Sequence, residues 1–182
     1  EYIALGRIEV ICGSMFSGKT EELINRIISS KKSFRVFKPL TDTRNKKNKI
    51  ISHSKIEIDA TTVDDINEIL KYKDKCDVIG IDEAQFFSED IISVCNDLAN
   101  NNVRVIVAGL DMDFSGKPFG PMPFLMAIAE DVTKVHAKCS ETGEPALYSY
   151  RKVDNNETVM IGEKKQYEPL SRKAFISKLK RN

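Results

Sequence analysis

The sequence predicts an α/β fold in which helices flank a mostly parallel β-sheet and a small β-rich annex follows. Up to about residue 135, apolar β-branched runs alternate with segments of helical periodicity. These runs are apolar on both faces, as strands are when helices cover a parallel sheet. From residue 136 onward, short alternating runs lie between turn signals. We therefore expect a first domain at residues 1–135 and an annex at residues 136–182.

The first elements follow from local patterns. Residues 7–12 form a β-branched run that stops at Gly13, which predicts a strand. Apolar residues recur at helical spacing over 19–30, and apolar and charged residues alternate over 33–38, so a helix and a second strand are expected. Residues 41–55 are polar and basic without periodicity. We interpret them as a mobile loop in which most lysines have no function.

The middle of the first domain continues the alternation of strands and helices. Residues 56–58 predict a short strand, and 63–72 predict a helix with Thr62 as its N-cap. The apolar run 77–82 predicts a strand that ends in acidic residues, and 88–100 has the spacing of a helix.

The last elements are a buried strand at 103–110 and a helix at 124–129. In the annex, runs such as 158–161 alternate like short strands. The tail from Ser171 is basic, and we expect it to end as a helix.

Composition limits the classes of function. The 182 residues are 41% hydrophobic and 30% charged with a net charge of +1, so neither nucleic acid nor an anionic membrane is an expected partner. No apolar run approaches the roughly 20 residues that a membrane helix needs. The four cysteines are scattered, which favours a reducing cytoplasm over a disulfide framework. They are Cys12, Cys76, Cys95 and Cys139.

A phosphate-binding motif lies between the first strand and the first helix. The segment fits G-x-x-x-x-G-K-[ST] in full. It consists of Gly13, Ser14, Met15, Phe16, Ser17, Gly18, Lys19 and Thr20. Loop amides and the positive helix end attract phosphate, Lys19 reaches the outer phosphates, and the Thr20 hydroxyl takes a Mg²⁺ position. By itself the motif predicts a P-loop (RecA-like) domain that binds a nucleoside triphosphate with Mg²⁺.

Two adjacent acids follow the strand at 77–82. In this fold class such a strand places an acid beside the phosphate loop, so Asp82 is expected to hold Mg²⁺, partly through water. Glu83 is then placed to act as general base on the acceptor. A solvated turn is the alternative. The run Asp82–Gln85 also resembles the acidic motif of helicases, but a helicase core needs roughly 300 residues and a basic surface.

Taken together, the motifs resemble those of one family, the thymidine kinases of the cytosolic, zinc-ribbon-bearing type (type II). They occur in the family's order over nearly the whole chain. The matching segments are Gly13–Thr20, Asp42–Arg44, Asp82–Phe87, Gly109–Asp111, Phe114–Gly120, Val159–Gly162 and Tyr167–Glu168. The resemblance implies transfer of the ATP γ-phosphate to the 5′-hydroxyl of thymidine or deoxyuridine.

The resemblance also implies roles for individual residues. Glu83 is the base, Arg44 lies near the transferring phosphate, and Asp42 and Gln85 join Asp82 on the nucleotide side. A second set surrounds the thymine and the sugar or contacts the edge of the base, beneath a lid at 114–120. This set consists of Met15, Phe86, Leu110, Phe114, Phe119, Ser149, Met160, Gly162 and Tyr167.

The annex departs from the family pattern. Family members usually bind one structural zinc through two Cys-x-x-Cys-like pairs. Here the stretch 139–142 keeps only Cys139 and the stretch 171–174 keeps no cysteine. A tetrahedral zinc site needs four ligands, and His136 does not make up the number, so we predict that zinc is absent.

Two classes of function stay open from the residues alone. One is a thymidine kinase, for which the resemblance suggests a homotetramer. The other is a P-loop nucleic-acid-dependent or regulatory ATPase. The aromatic lid favours the kinase, since a regulatory ATPase has no evident need for it.

Overall fold

The computed structural model describes residues 6–40, 48–152 and 166–182. At its centre is a six-stranded sheet in the order β5-β2-β6-β7-β1-β8, in which every neighbouring pair is parallel. Its strands are β1 Arg7–Gly13, β2 Phe34–Pro39, β5 Thr61–Val63, β6 Val78–Ile81, β7 Arg104–Leu110 and β8 Asp131–Lys134. The predicted α/β class with a mostly parallel sheet is therefore confirmed.

Helices cover the sheet on two sides because alternate residues of each strand point to opposite faces. In β7, Val105 and Val107 join one buried cluster, whereas Ile106 and Ala108 join another. Helix α1 (Lys19–Ser30) packs on the second cluster. Helices α2 (Asp90–Asn100) and α3 (Met122–Ile128) and the 3₁₀ helix Ile66–Tyr72 pack on the first. Burying one Ile or Leu side chain completely stabilises the folded state by about 1.5–3 kcal/mol.

Two of the expected elements differ in the structure. The segment expected to be a loop contains β3 (Lys49–Ile51), which forms an antiparallel hairpin with β4 (Glu57–Asp59). The expected helix over 63–72 was wrong at its start, because the β-branched run Thr61–Val63 pairs with β2 as β5. The 3₁₀ helix therefore begins at Ile66, and the Asp65 carboxylate, not Thr62, accepts the capping hydrogen bond.

Strand β8 was not predicted. Its four residues alternate between half-buried and exposed at the edge of the sheet, so they lack the apolar run that marks the inner strands. Between residues 6 and 135, the other predicted strands and helices are present, with ends that differ by a few residues.

The annex contains two short antiparallel pairs and a helix. Strand β9 (Ala137–Lys138) pairs with β10 (Pro145–Ala146), and β11 (Tyr148–Arg151) pairs with β12 (Tyr167–Leu170). Helix α4 (Arg172–Arg181) lies in the basic tail that was expected to end as a helix. The Ser171 hydroxyl caps it by accepting a hydrogen bond from Ala174 N.

The apolar core of the annex is formed by aromatic stacking. The rings of Tyr148 and Phe175 lie parallel with centroids 4.1 Å apart. Phe16 of the phosphate loop and Met112 pack against the same cluster. The segment expected to be an annex thus packs directly against the phosphate loop. The predicted alternating run 158–161 lies outside the described residues.

Within the described ranges, no helix is long and apolar enough to cross a membrane. All four cysteines are free thiols, and three of them are buried.

A buried carboxylate links three strands and a helix far from the phosphate loop. The Glu9 carboxylate accepts from Arg104 Nε at 2.5 Å and from Arg104 Nη2 and Arg26 Nη1 at 3.0 Å. Arg26 also contacts Asp131 on β8. Burial alone would raise the pKa of Glu9, but the hydrogen bond and charge of Arg104, with Arg7 and Arg26, hold it below its ordinary value.

We expect Glu9→Gln to lower the free energy of unfolding at pH 7 by about 2 kcal/mol, because two arginines lose their buried counter-charge. Because the pKa of Glu9 is lowered in the folded protein, the ionised carboxylate stabilises the fold at pH values above its ordinary pKa of 4.5. This stabilisation is lost as the pH falls through the folded-state pKa. Urea unfolding at pH 7 and below pH 4.5 measures both effects. Glu57, which forms an exposed salt bridge with Lys49, provides the control. Glu57→Gln should change the free energy of unfolding by less than about 0.5 kcal/mol. Equal losses in the two variants would contradict the assignment.

Candidate active site

The phosphate loop follows β1 directly and turns sharply into α1. At Gly13 the backbone φ is 150°, and a Cβ would lie 2.3 Å from the carbonyl oxygen of Val135. At Gly18, just before α1, φ is 85°. Both conformations favour glycine, so the two glycines of the motif are required by the backbone path itself. The predicted position of the loop, between a strand and the N-terminus of a helix, is present in the structure.

The ammonium group of Lys19 folds back over the loop. Its Nζ donates to the Ser14 carbonyl oxygen at 2.6 Å and to Ser17 Oγ at 3.3 Å. Burial lowers the pKa of Lys19, although the charges of Glu83 and Asp82 act in the opposite direction. An anionic ligand at the loop would compensate the buried positive charge.

Thr20 of the phosphate loop and Asp82, which follows β6, are in direct contact. Thr20 Oγ1 donates to Asp82 Oδ2 at 2.9 Å, and the Glu83 amide donates to Asp82 Oδ1 at 2.9 Å. Burial raises the pKa of Asp82, against the effect of these two hydrogen bonds and of Lys19. A hydroxyl and a carboxylate side by side suit Mg²⁺, which takes oxygen ligands and completes its shell with phosphate and water. The oxygen atoms of Thr20 and Asp82 are therefore suitable ligands for Mg²⁺.

Glu83 directly follows Asp82, one of the two candidate Mg²⁺ ligands, and its backbone is strained. Its φ of 53° is in the left-handed region, which is uncommon for a residue with a side chain. The side chain is exposed, and its Oε2 accepts a hydrogen bond from Gln85 Nε2 at 2.7 Å. The coulombic influence of Glu83 on Lys19 places the two groups in one electrostatic site.

Aromatic side chains stand exposed beside these polar groups. Phe86 is 47% exposed and Phe114 is 49% exposed. The Phe86 and Phe119 rings meet edge to face with centroids 5.6 Å apart, and the Arg151 guanidinium lies 5.2 Å from the centroid of Phe114. Large exposed aromatic rings at the surface indicate a site for a flat apolar ligand.

The lid is shaped by its own polar groups. Asp113 Oδ1 accepts from the amides of Ser115 and Lys117 at 2.9 and 3.1 Å. The Phe119 amide donates to the carbonyl oxygen of Asp111 at 3.0 Å, which ties the second half of the lid to the end of β7.

The annex reaches the phosphate loop through Ser149. This buried residue on β11 accepts a hydrogen bond at its Oγ from the Met15 amide, at 2.9 Å. Tyr167 begins β12 and pairs with Arg151. Leu110 ends β7, on the strand next to the one that leads into the loop. Of the other predicted residues, Asp42, Arg44, Met160 and Gly162 lie outside the described residues.

One buried acid was not assigned a role from the sequence. The Asp111 carboxylate is 7% exposed and pairs with Lys134 Nζ at 2.8 Å. It also adds to the negative charge around Lys19. The signal was available, because Asp111 directly follows the apolar strand β7, as Asp82 follows β6. Lys134 lies on the unpredicted strand β8, so its pairing could not be foreseen.

A separate cleft of about 430 Å³ borders the site at Phe86 and Phe87. Its walls carry Asp64, Asp65 and Asp90, whose negative charge is unsuited to phosphate.

The annex positions that correspond to zinc ligands form a hydrogen-bonded cluster instead. The Thr142 amide donates to Cys139 Sγ at 3.4 Å, and the hydroxyls of Thr142 and Ser171 lie 3.4 Å apart. Burial would raise the pKa of Cys139, but hydrogen bonds from Thr142 and Ser171 lower it to about 6. Ala174 has no side-chain atom that can bind a metal, and the hydroxyls of Thr142 and Ser171 are not thiolates. The four positions therefore do not fit a tetrahedral zinc site.

Comparison with known proteins gives a consistent result. A family model described as thymidine kinase matches residues 6–175. A thymidine kinase of Bacteroides fragilis (strain YCH46) is 55% identical over 173 residues, which cover 93% of this chain and 87% of that protein. Thymidine kinases of Bacteroides thetaiotaomicron and Porphyromonas gingivalis (strain W83) are 53% and 51% identical, over 94% and 95% of this chain and 87% and 86% of theirs.

Proposed function

Since the chain belongs to the thymidine kinase family, we propose that it transfers the γ-phosphate of ATP to the 5′-hydroxyl of thymidine, with the side chains described above in named roles. The observation that carries the proposal is the contact between Thr20 and Asp82. It joins the phosphate loop to the turn after β6 that contains Glu83, so the phosphate donor and the base belong to one site. The reaction gives dTMP and ADP.

The phosphate loop binds the donor. Loop amides, the positive end of α1 and the Lys19 ammonium together hold the triphosphate. Thr20 and Asp82 would hold Mg²⁺, which offsets the charge that develops on the phosphate oxygens. Asp42 and Arg44 belong to the nucleotide side in this proposal, and their support is the resemblance of the motif Asp42–Arg44.

Glu83 acts on the acceptor. It takes the proton of the thymidine 5′-hydroxyl as the oxygen attacks the γ-phosphorus, and ADP leaves on the opposite side. Its exposed carboxylate beside Lys19 and Asp82 supports this role.

The aromatic side chains surround the nucleoside. Phe86, Phe119 and Phe114 offer apolar faces to the thymine ring, and the lid from Phe114 to Gly120 excludes water from the transfer. Met15, Leu110, Ser149 and Tyr167 complete this side of the site. Met160 and Gly162 are included on the family resemblance.

A nucleoside panel tests the function. The protein is supplied with γ-labelled ATP and with thymidine, deoxyuridine, deoxycytidine or single-stranded DNA. We expect label in the thymidine and deoxyuridine products and none in deoxycytidine, because deoxyuridine lacks only the methyl group of thymine whereas deoxycytidine changes the hydrogen-bonding edge. Release of free phosphate that only DNA stimulates would favour the nucleic-acid-dependent ATPase and contradict the proposal.

The annex is proposed to fold without zinc, held by the Tyr148–Phe175 stack and the cluster around Cys139. We expect elemental analysis of the purified protein to give far less than one zinc per chain, and a zinc-selective chelator, added with Mg²⁺ in excess, to leave both the unfolding temperature and turnover unchanged. Stoichiometric zinc, or unfolding by the chelator, would overturn this part of the account.

The compartment and the oligomeric state of the enzyme are also part of the proposal. Four free thiols are typical of a reducing cytoplasm. The homotetramer rests on the family resemblance alone, and light scattering of the purified protein measures it.

A further inference from the structure

Gln85 is a buried amide whose two ends are both engaged within the protein. It lies in the 3₁₀ helix Ala84–Phe86 and is 3% exposed. Its Oε1 accepts from the Leu110 amide at 3.0 Å, and its Nε2 donates to Glu83 Oε2 at 2.7 Å. One side chain thus connects the proposed base to the end of β7.

The orientation of the amide follows from these partners. The Leu110 amide is a donor, so only the oxygen of Gln85 can face it. The NH₂ group must then point to Glu83 and needs an acceptor there, which a carboxylate provides. The arrangement therefore favours one placement of the Glu83 carboxylate and one orientation of the amide.

Close packing fixes Gln85 itself. A Cβ at Gly109 would lie 2.9 Å from Gln85 Oε1, and a Cβ at Gly120 would lie 2.7 Å from the Gln85 carbonyl oxygen. Both glycines therefore let the backbone of β7 and the end of the lid approach Gln85 closely. By contrast, the Glu83 side chain is exposed, so its position depends on the partners that hold it.

We propose that Gln85 is a positioning residue for the transfer, which holds the Glu83 carboxylate in place and links it to β7 and to the end of the lid. This inference rests on the proposed function, in which Glu83 is the base. It gives Gln85 a different role from the nucleotide contact that the family resemblance implied, because both ends of the amide already have protein partners. A glutamate that accepts a hydrogen bond from a fixed amide is set for proton removal before the nucleoside arrives.

Two variants of Gln85 separate the possible roles. Gln85→Glu keeps an acceptor for the Leu110 amide but replaces the donor facing Glu83 with an oxygen. Gln85→Met removes both bonds. We expect both variants to lower kcat for thymidine by about 10²-fold, with the KM values for ATP and thymidine within about twofold of wild type, as a misplaced catalytic group does.

Competing roles give other results. If Gln85 only held β7, Gln85→Glu would keep near-normal turnover. If it bound nucleotide, the affinity for ADP, measured by calorimetry, would fall in both variants. Either outcome would overturn the inference, and the Gln85→Glu arm does not depend on whether Gln85→Met folds.

A double-mutant cycle that combines Gln85→Glu with Glu83→Gln is the most discriminating of these experiments. Because both residues act on one proton transfer, adding Gln85→Glu to Glu83→Gln should cost less than about threefold in kcat. Independent losses that multiply would contradict the inference. Normal thymidine phosphorylation by wild type together with near-normal Gln85→Glu would overturn this inference alone, whereas a wild type inactive on thymidine would overturn the proposed function with it.

Discussion

Replacing Lys19 with Met is expected to lower kcat/KM for ATP by about 10³-fold, or about 4 kcal/mol of transition-state stabilisation. The Lys19 ammonium is the buried cation of the phosphate loop, surrounded by Asp82, Glu83 and Asp111. Without it, the triphosphate would meet three acidic groups and only the loop amides. The loss should therefore affect both nucleotide binding and phosphate transfer.

Calorimetric titration with ATP and steady-state kinetics measure the two effects of Lys19→Met separately. Lys32→Met is the matched control, because Lys32 is an exposed lysine just beyond α1. It should behave as wild type. The circular dichroism spectrum shows whether Lys19→Met is folded. A folded Lys19→Met protein that uses ATP normally would remove the phosphate loop from the mechanism.

Glu83→Gln is expected to reduce kcat for thymidine by about 10²-fold or more while the protein still binds both substrates. The amide keeps the size of the side chain but cannot accept the proton of the 5′-hydroxyl. Since Lys19, Thr20 and Asp82 are unchanged, nucleotide affinity should change little.

Single-turnover transfer from γ-labelled ATP, at substrate concentrations that saturate the enzyme, measures this loss. The exposed Glu89 at the start of α2 provides the matched control, and Glu89→Gln should retain full turnover. Turnover near that of wild type in Glu83→Gln would exclude Glu83 as the base. A loss of ATP binding would instead assign it to the nucleotide site.

The two substitutions separate donor binding from acceptor activation. Lys19 and Glu83 belong to different strand-to-helix turns, after β1 and after β6, and the hydrogen bond from Thr20 to Asp82 joins those turns. We therefore expect Lys19→Met to weaken binding and transfer, and Glu83→Gln to weaken transfer alone.

The parts of the site that depend on local sequence were predictable. The phosphate loop is a continuous motif whose glycines are required by its own backbone, so its position between β1 and α1 followed from eight residues. Asp82 was expected beside it because parallel strands present their carboxyl ends at the same edge of the sheet. That expectation agrees with the bond from Thr20.

The parts that depend on distant contacts were not predictable. Thr62 and Val63 were interpreted as the N-cap and the first residue of a helix because the pairing of Thr61–Val63 with β2 is not visible in local periodicity. The hydrogen bond between Ser149 and the Met15 amide joins residues 134 positions apart. Likewise, the hydrogen bond between the Leu110 amide and Gln85 Oε1 depends on the approach of β7, which joins residues 25 positions apart.

The transfer of label to the 5′-oxygen tests the central claim most directly. The protein is given γ-labelled ATP with thymidine or with 5′-deoxythymidine, which has the same base and 3′-hydroxyl but no 5′-hydroxyl. We predict label in thymidine 5′-monophosphate in equal amount to ADP, and no labelled nucleoside product from 5′-deoxythymidine. Label on the 3′-oxygen, or ADP formed equally fast with either nucleoside, would contradict the account.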